Sequence, residues 1–263
     1  MDLRQGPVIE VFNILELPRL RTEDLIPKGQ VPMKTEKPLR LLIGSGRAHT
    51  HFSHYLYLLQ TPYLSWNRYQ AKAELQSLLA RADQVWVLIS DSQIQSFIEK
   101  NLREYKGSIV HCSGALQIPG TVDIHPLMTF GAEPYNLKRY ENLHFVSSSL
   151  AAKSLLAGLP NAVHSITEDQ KALYHALCVS AGNFTTLLWQ EAGEGFAKMG
   201  LPSEAWHPYL IQITENLLRT FENALTGPIA RKDYGTIEKN LKSLEGTKLK
   251  EIYQSFAQAY LPK

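Results

Sequence analysis

The first half of the chain changes repeatedly between short apolar runs and stretches with helical spacing. Leu39 to Ile43, broken only by Arg40, predicts a strand, and a helix is expected from about Thr50 to Gln60. A second short strand is expected at Tyr63 to Trp66, and a helix from Gln70 to Ala82 with Ala73, Leu75, Leu78, Leu79 and Ala82 on its apolar side. The run Val85 to Ile89, VWVLI, is apolar without interruption, the pattern of a strand buried on both faces of a parallel sheet. A helix from Gln93 to Tyr105, a strand from Ser108 to Cys112 and β-like pieces at Thr121 to Ile124 and His144 to Ser147 continue the alternation. Alternation of this kind predicts an α/β fold with a doubly wound parallel sheet.

After about Ser165 the strand pattern stops. Thr167-Glu168-Asp169-Gln170 has the form of a capping box, and a helical run follows to about Met199. A helix from Pro202 to about Leu225, a Gly227-Pro228 break, and helices at Tyr234 to Leu244 and Lys248 to Tyr260 complete the chain. The expected organisation is an extension or arm at 1–37, an α/β domain at 38–165 and an all-helical domain at 166–263. Within the extension, Val8 to Ile14 is the one strand-like run. Apolar Leu173, Leu177, Leu210, Leu217 and Phe221 are more than so small a bundle covers alone, which predicts a homodimer through the helical domain.

Composition narrows the partners. The 263 residues are 44% hydrophobic, enough for a substantial core, and 27 basic against 25 acidic residues leave a formal charge of +2. So balanced a charge argues against nucleic acid or an anionic membrane as the partner, and leaves small anions bound at local sites. Cys112 and Cys178 stand far apart without metal-ligand spacing, and no window approaches a membrane span, so a cytoplasmic location is expected.

The local chemistry is concentrated at Gly44-Ser45-Gly46, between the first strand and its helix. Such a turn lets the backbone approach a pyrophosphate, while the helix that follows offers free N–H groups and the positive end of its dipole. A dinucleotide fingerprint places a third small residue at position 49, where this chain has His49, expected to push the helix outward or to point off the close contact. After the second strand, Ser65-Trp66-Asn67-Arg68 has no acid to bond a ribose, and two readings of Arg68 stay open: it suits a 2′-phosphate, which favours NADP over NAD, or it is a solvated arginine after a strand. His49, His51 and His54 lack a neighbouring carboxylate or cysteine. They are read as lying near the phosphates or on a wet helix end, not as a metal site. Ser113 and His125 fall at neighbouring strand ends, where two readings stay open. They converge on a substrate carbonyl, or Ser113 closes a turn and His125 makes a buried structural hydrogen bond.

GSGRAH, ISDSQI from Ile89, HCSGA from His111, IHPLMTF from Ile124, SAGNF from Ser180 and LTGPIARKD from Leu225 together carry a resemblance. In this order they resemble an uncharacterised bacterial family that pairs a Rossmann-like domain with a helical domain of unknown function. That family is related to coenzyme-F420/NADP oxidoreductases, prephenate dehydrogenases and pyrroline-carboxylate reductases. The resemblance implies a helical domain like the C-terminal one of 6-phosphogluconate dehydrogenase. It also implies NADP binding by Gly44, Ser45, Gly46, Arg47, Arg68 and Ser90, with hydride transfer to or from a small, anionic metabolite. By likeness to prephenate dehydrogenases, His125 of the His-Pro pair is the acid/base and Ser113 a substrate-site residue. Asn183 is expected to be the helical domain's contribution. Hydroxyisobutyrate dehydrogenases place a lysine four residues before such an asparagine, and here that position is Val179. The alternative function is a non-catalytic nucleotide-binding sensor or scaffold.

Overall fold

The computed structural model describes residues 37–261. The run at 8–14 and nearly all of the expected arm lie outside the described residues. Two compact units meet at the Asp169/Gln170 boundary.

The first unit is built on five parallel strands. β1 (Arg40–Ile43), β2 (Tyr63–Trp66), β3 (Gln84–Val87), β4 (Ser108–His111) and β5 (Val122–Asp123) lie in the order β2-β1-β3-β4-β5. The order reverses between β1 and β3, so the ends of these two strands open the crevice in which sheets of this type bind ligands. α1 (Arg47–Leu58), α2 (Lys72–Leu79) and α3 (Asp91–Asn101) make the crossovers. Alternate residues of β1 enter different cores. Leu42 packs with Phe52, Leu56, Trp86, Val110 and Phe145 on one face of the sheet. Leu41 and Ile43 pack with Trp66, Leu75, Val85, Val87 and Ile94 on the other. Burial on both faces accounts for the apolar runs at β1, broken only by Arg40, and at β3.

Arg40 interrupts that run without leaving the interior. Its Nη2 donates to the carbonyls of Leu155 and Ala157 at 3.0 and 2.7 Å. These lie at the end of α5 (Ala152–Leu155), where unpaired helix carbonyls suit a cation. Burial lowers its pKa to about 10, which still leaves it charged at neutral pH.

At Ile124 the chain leaves the first sheet, its N–H still bonded to the His111 carbonyl at 2.8 Å. β6 (His125–Pro126), β7 (Phe145–Ser147) and β8 (Val163–Ser165) form a separate three-stranded sheet, antiparallel between β6 and β7 and parallel between β7 and β8. The piece at His144 to Ser147 therefore belongs to a second sheet and does not extend the first. α4 (Leu137–Glu141) lies between β6 and β7.

The second unit is helical. α6 (Lys171–Cys178), a π-helical turn (Val179–Phe184) and α7 (Thr185–Lys198) form one continuous helical run. Gln170, already helical at φ −77°, ψ −16°, is the N-cap and makes no side-chain capping bond. α8 (Ser203–Arg219) packs Trp206 onto Gly193 of α7, where a Cβ would come within 2.8 Å of the indole. α9 (Gly227–Arg231), α10 (Tyr234–Ser243) and α11 (Lys248–Tyr260) follow. No helix among the described residues is long and apolar enough to cross a membrane.

Candidate functional site

The turn after β1 is held from both sides. The Gly44 N–H donates to the Trp66 carbonyl at 2.9 Å, and the Leu88 N–H donates to the Ile43 carbonyl at 2.7 Å. Gly44 has φ +140°, and a Cβ there would stand 2.2 Å from the Leu88 carbonyl oxygen. Position 44 therefore has to be glycine on both conformational and steric grounds. Gly46 differs. It is the N-cap of α1 in extended geometry, and nothing lies within 4 Å of the place a Cβ would take. The space over the first turn of α1 is open, and that turn carries no acidic residue.

α1 begins at Arg47, directly after the turn, where the sequence suggested about Thr50. His49, in the place of the third small residue, points off the strand it follows. Its Nε2 lies 2.8 Å from Ser65 Oγ on β2. Burial holds its pKa below the ordinary histidine value, so the imidazole at this tight point stays neutral at pH 7.

A cleft of about 980 Å³ opens from this turn. Gly44, Ser45, Gly46, Arg47, Arg68 and Ser90 all line it, so the six residues expected to hold a cofactor are brought together. Lys72, Lys100, Gln93, Ser96 and Phe97 line it as well, and no lining residue is acidic. Arg68 is steadied by Tyr69, with Nη2 donating to the phenol at 3.1 Å and the guanidinium 5.2 Å from the ring centre. Sequence reasoning missed Lys72 and Lys100. For Lys72 a signal existed. Arg47 and Lys72 are the first residues of α1 and α2, and a cation at a helix N-terminus is disfavoured by ~0.3–1 kcal/mol unless an anion answers it.

The expected catalytic residues lie elsewhere. Ser113 and His125 do not line the cleft. They stand beyond the ends of paired strands, two residues past His111 and Asp123, which are partners in the β4–β5 register. The Ser113 hydroxyl donates to Asp91 Oδ2 at 2.5 Å and accepts from the N–H groups of Ala115 and Leu116 at 3.2 and 3.1 Å. It thus closes the turn after β4 and ties it to the first residue of α3. His125 is half-buried and opens β6 opposite Val146. Asn183 is exposed in the π-helical turn of the second unit. Cys112 has its thiol pKa pushed upward, first by burial and then by Asp91, so it does not present a thiolate.

The placement of His51 near phosphates or on a wet helix end needs correction. His51 is only 1% exposed. Its Nε2 lies 3.1 Å from the Gly131 carbonyl, which fixes the proton there, and Nδ1 faces the Tyr140 hydroxyl at 2.9 Å. Phe130 stacks on the ring at 4.6 Å. Its pKa is lowered mainly by burial, against a raising contribution from the Gly131 bond. A histidine kept neutral in the fold binds its proton more readily once unfolded. Its contribution is therefore complete above the unfolded value of ~6.5 and declines as pH falls from there toward the folded value. Urea unfolding should show a smaller loss of stability between pH 7 and 5.5 in His51→Asn than in the parent chain, and an unchanged slope would contradict this assignment. Among the described residues no group of three or more His, Cys, Asp or Glu is placed to hold a metal ion.

Residues 147–260 match the family profile of a domain of unknown function, DUF2520. Among solved structures, a Bacteroides fragilis protein with the provisional description of an NADP oxidoreductase is 21% identical. The alignment covers 86% of this chain and 98% of that one, with a TM-score of 0.69. A Thermotoga maritima protein is also 21% identical, covering 84% and 96% at a TM-score of 0.62. The 1-pyrroline-5-carboxylate reductase of Streptococcus pyogenes is 16% identical, covering 86% and 97% at 0.54. No curated protein sequence matches the chain. At these identities the likeness establishes the fold, a Rossmann-like domain followed by a helical region, and the DUF2520 match begins in β7 and runs through that region.

Proposed function

We propose that the chain is an NADP-dependent oxidoreductase acting on a small, anionic metabolite. The observation that carries this reading is the cleft at the switch point of the sheet, lined by the Gly44-Ser45-Gly46 turn and by four cations without an acid. Gly46 leaves open the space that a diphosphate needs, and the amides of the first turn of α1 point toward it. Arg47 lies beside that space, and Arg68, just past β2 where the ribose of a dinucleotide is read, lines the cleft with Lys72 at the start of α2. A bound NADPH would supply the hydride. His125 would exchange the proton at the substrate's oxygen or nitrogen, Ser113 would hold the strand end beside it, and Asn183 is the helical unit's candidate for substrate recognition.

A charge-assisted contact from Arg68 to the 2′-phosphate is worth ~1.5–3 kcal/mol. Calorimetry on Arg68→Ala should therefore show NADPH binding weakened by roughly ten- to a hundredfold and NADH binding nearly unchanged. Equal losses for both nucleotides, or no binding of either by the parent chain, would overturn the assignment. A sensor would bind NADPH without turnover, so failure to oxidise it with any of a broad panel of carbonyl and imine compounds would favour that second reading.

The helical unit supports a homodimer. Leu173 and Leu177 of α6 are 63% and 59% exposed, and Leu218 and Phe221 near the end of α8 are 74% and 81% exposed. Apolar surface of this extent marks an interface. Light scattering is expected to give twice the chain mass at micromolar concentration, and a monomer mass would count against it.

A further inference from the structure

Away from the nucleotide cleft, the second sheet brings two histidines into contact. His144 immediately precedes β7 and His164 lies within β8, whose register pairs Val146 with His164. His144 Nδ1 is 2.7 Å from His164 Nε2, and the rings are parallel to within 5° with centroids 5.0 Å apart. Both side chains are exposed, and neither lines the cleft.

Two imidazole nitrogens at this separation share one proton, because one must donate and the other must offer a lone pair. Two neutral imidazoles hold two ring protons, one in this hydrogen bond and one on an outward nitrogen, and a shift of tautomer that puts both protons on the outward nitrogens leaves both facing lone pairs for a common ligand. Metal–imidazole bonds of ~2.0–2.1 Å put two ligands in neighbouring positions ~2.9–3.4 Å apart. The facing nitrogens would need to move apart by less than ~1 Å, and the rings, which meet end to end, would need to turn so that both lone pairs converge on one ion. Adjacent hydrogen-bonded strands already hold both side chains within reach of one ion, so little chain entropy is lost on binding.

We propose that His144 and His164 form a two-nitrogen site for a divalent transition-metal ion, taken up in place of the hydrogen bond between them. Neutral imidazole suits copper, nickel and zinc, whereas magnesium and calcium prefer oxygen ligands. Among the described residues no third His, Cys, Asp or Glu completes the set. The other coordination positions then belong to water, which makes the site open and exchangeable, unlike a closed structural centre.

The test is titration of the full, untagged chain with copper(II), nickel(II), zinc(II) and magnesium chlorides by calorimetry. One equivalent of transition metal per chain is expected, tightest for copper, with no heat from magnesium. His144→Ala and His164→Ala should each weaken copper binding at least tenfold, and the double variant should lose little more than either alone, as for a chelate. His175→Ala should bind copper like the parent. Copper(II) spin resonance should report two imidazole nitrogens in the parent and one or none in the single variants. His144→Gln and His164→Gln, checked for native circular dichroism, repeat the test if an alanine variant folds poorly. Stoichiometric binding that survives both substitutions, or none tighter than millimolar, would overturn the proposal.

Discussion

Gly44→Ala is expected to destabilise the α/β unit by ~3 kcal/mol or more and to abolish NADPH binding. The added carbon would run into the backbone of Leu88. The Leu88 carbonyl oxygen is 2.2 Å from it, and φ of +140° is a conformation that residues with a Cβ rarely adopt. Relief by movement is blocked because Gly44 is bonded to the end of β2 while Leu88 is bonded to the end of β1. Gly46→Ala provides the contrast. Its φ of −86° suits alanine and nothing lies within 4 Å, so stability should fall by no more than ~1 kcal/mol, the loss on replacing glycine by alanine at an N-cap. NADPH affinity should nevertheless fall, because the new methyl group enters the space assigned to the diphosphate. Urea unfolding and calorimetry on the two variants separate these effects. Parent-like stability in Gly44→Ala, or parent-like affinity in Gly46→Ala, would contradict the account of the turn.

His125→Asn is expected to keep NADPH affinity and lose ~10² to 10⁴ in turnover on whichever substrate the chain reduces. Hydride transfer to a carbonyl or imine carbon requires a proton at the attached atom, and an imidazole has both a donor and an acceptor nitrogen with which to exchange one. His125 opens β6 just beyond the C-terminal end of β5, the edge at which parallel sheets of this type bind ligands. Ser113→Ala should lose less turnover. Its hydroxyl already serves Asp91 and two backbone amides, so its removal should cost ~1–3 kcal/mol of stability at the turn. Full turnover in His125→Asn, measured by loss of NADPH absorbance, would remove His125 from the mechanism. The sensor reading would then gain.

Much of the α/β architecture was legible because burial on two faces leaves a mark that needs no distant partner. VWVLI is one such mark, and the glycines after β1 are another, since φ at position 44 is a local demand. What the sequence concealed depends on residues far along the chain. Arg40 looked like a flaw in an apolar strand until the carbonyls of Leu155 and Ala157, 115 and 117 positions away, accounted for it. His51 looked wet because Gly131 and Tyr140, its partners, are 80 and 89 positions distant. The second sheet went unread because β6 has two residues, and β7 and β8 three each, too few for any periodicity to show. Lys72 was legible in principle as a cation at the wrong end of a helix, but only once the start of α2 was fixed.

The central claim is that the cleft after β1 binds NADPH by its phosphates. A crystal structure of the chain grown with NADPH tests it most directly. The account predicts the diphosphate over Gly46 and the first-turn amides of α1, with the 2′-phosphate against Arg68 and Lys72. A cleft left vacant at saturating NADPH, or a nucleotide bound elsewhere on the chain, would contradict it.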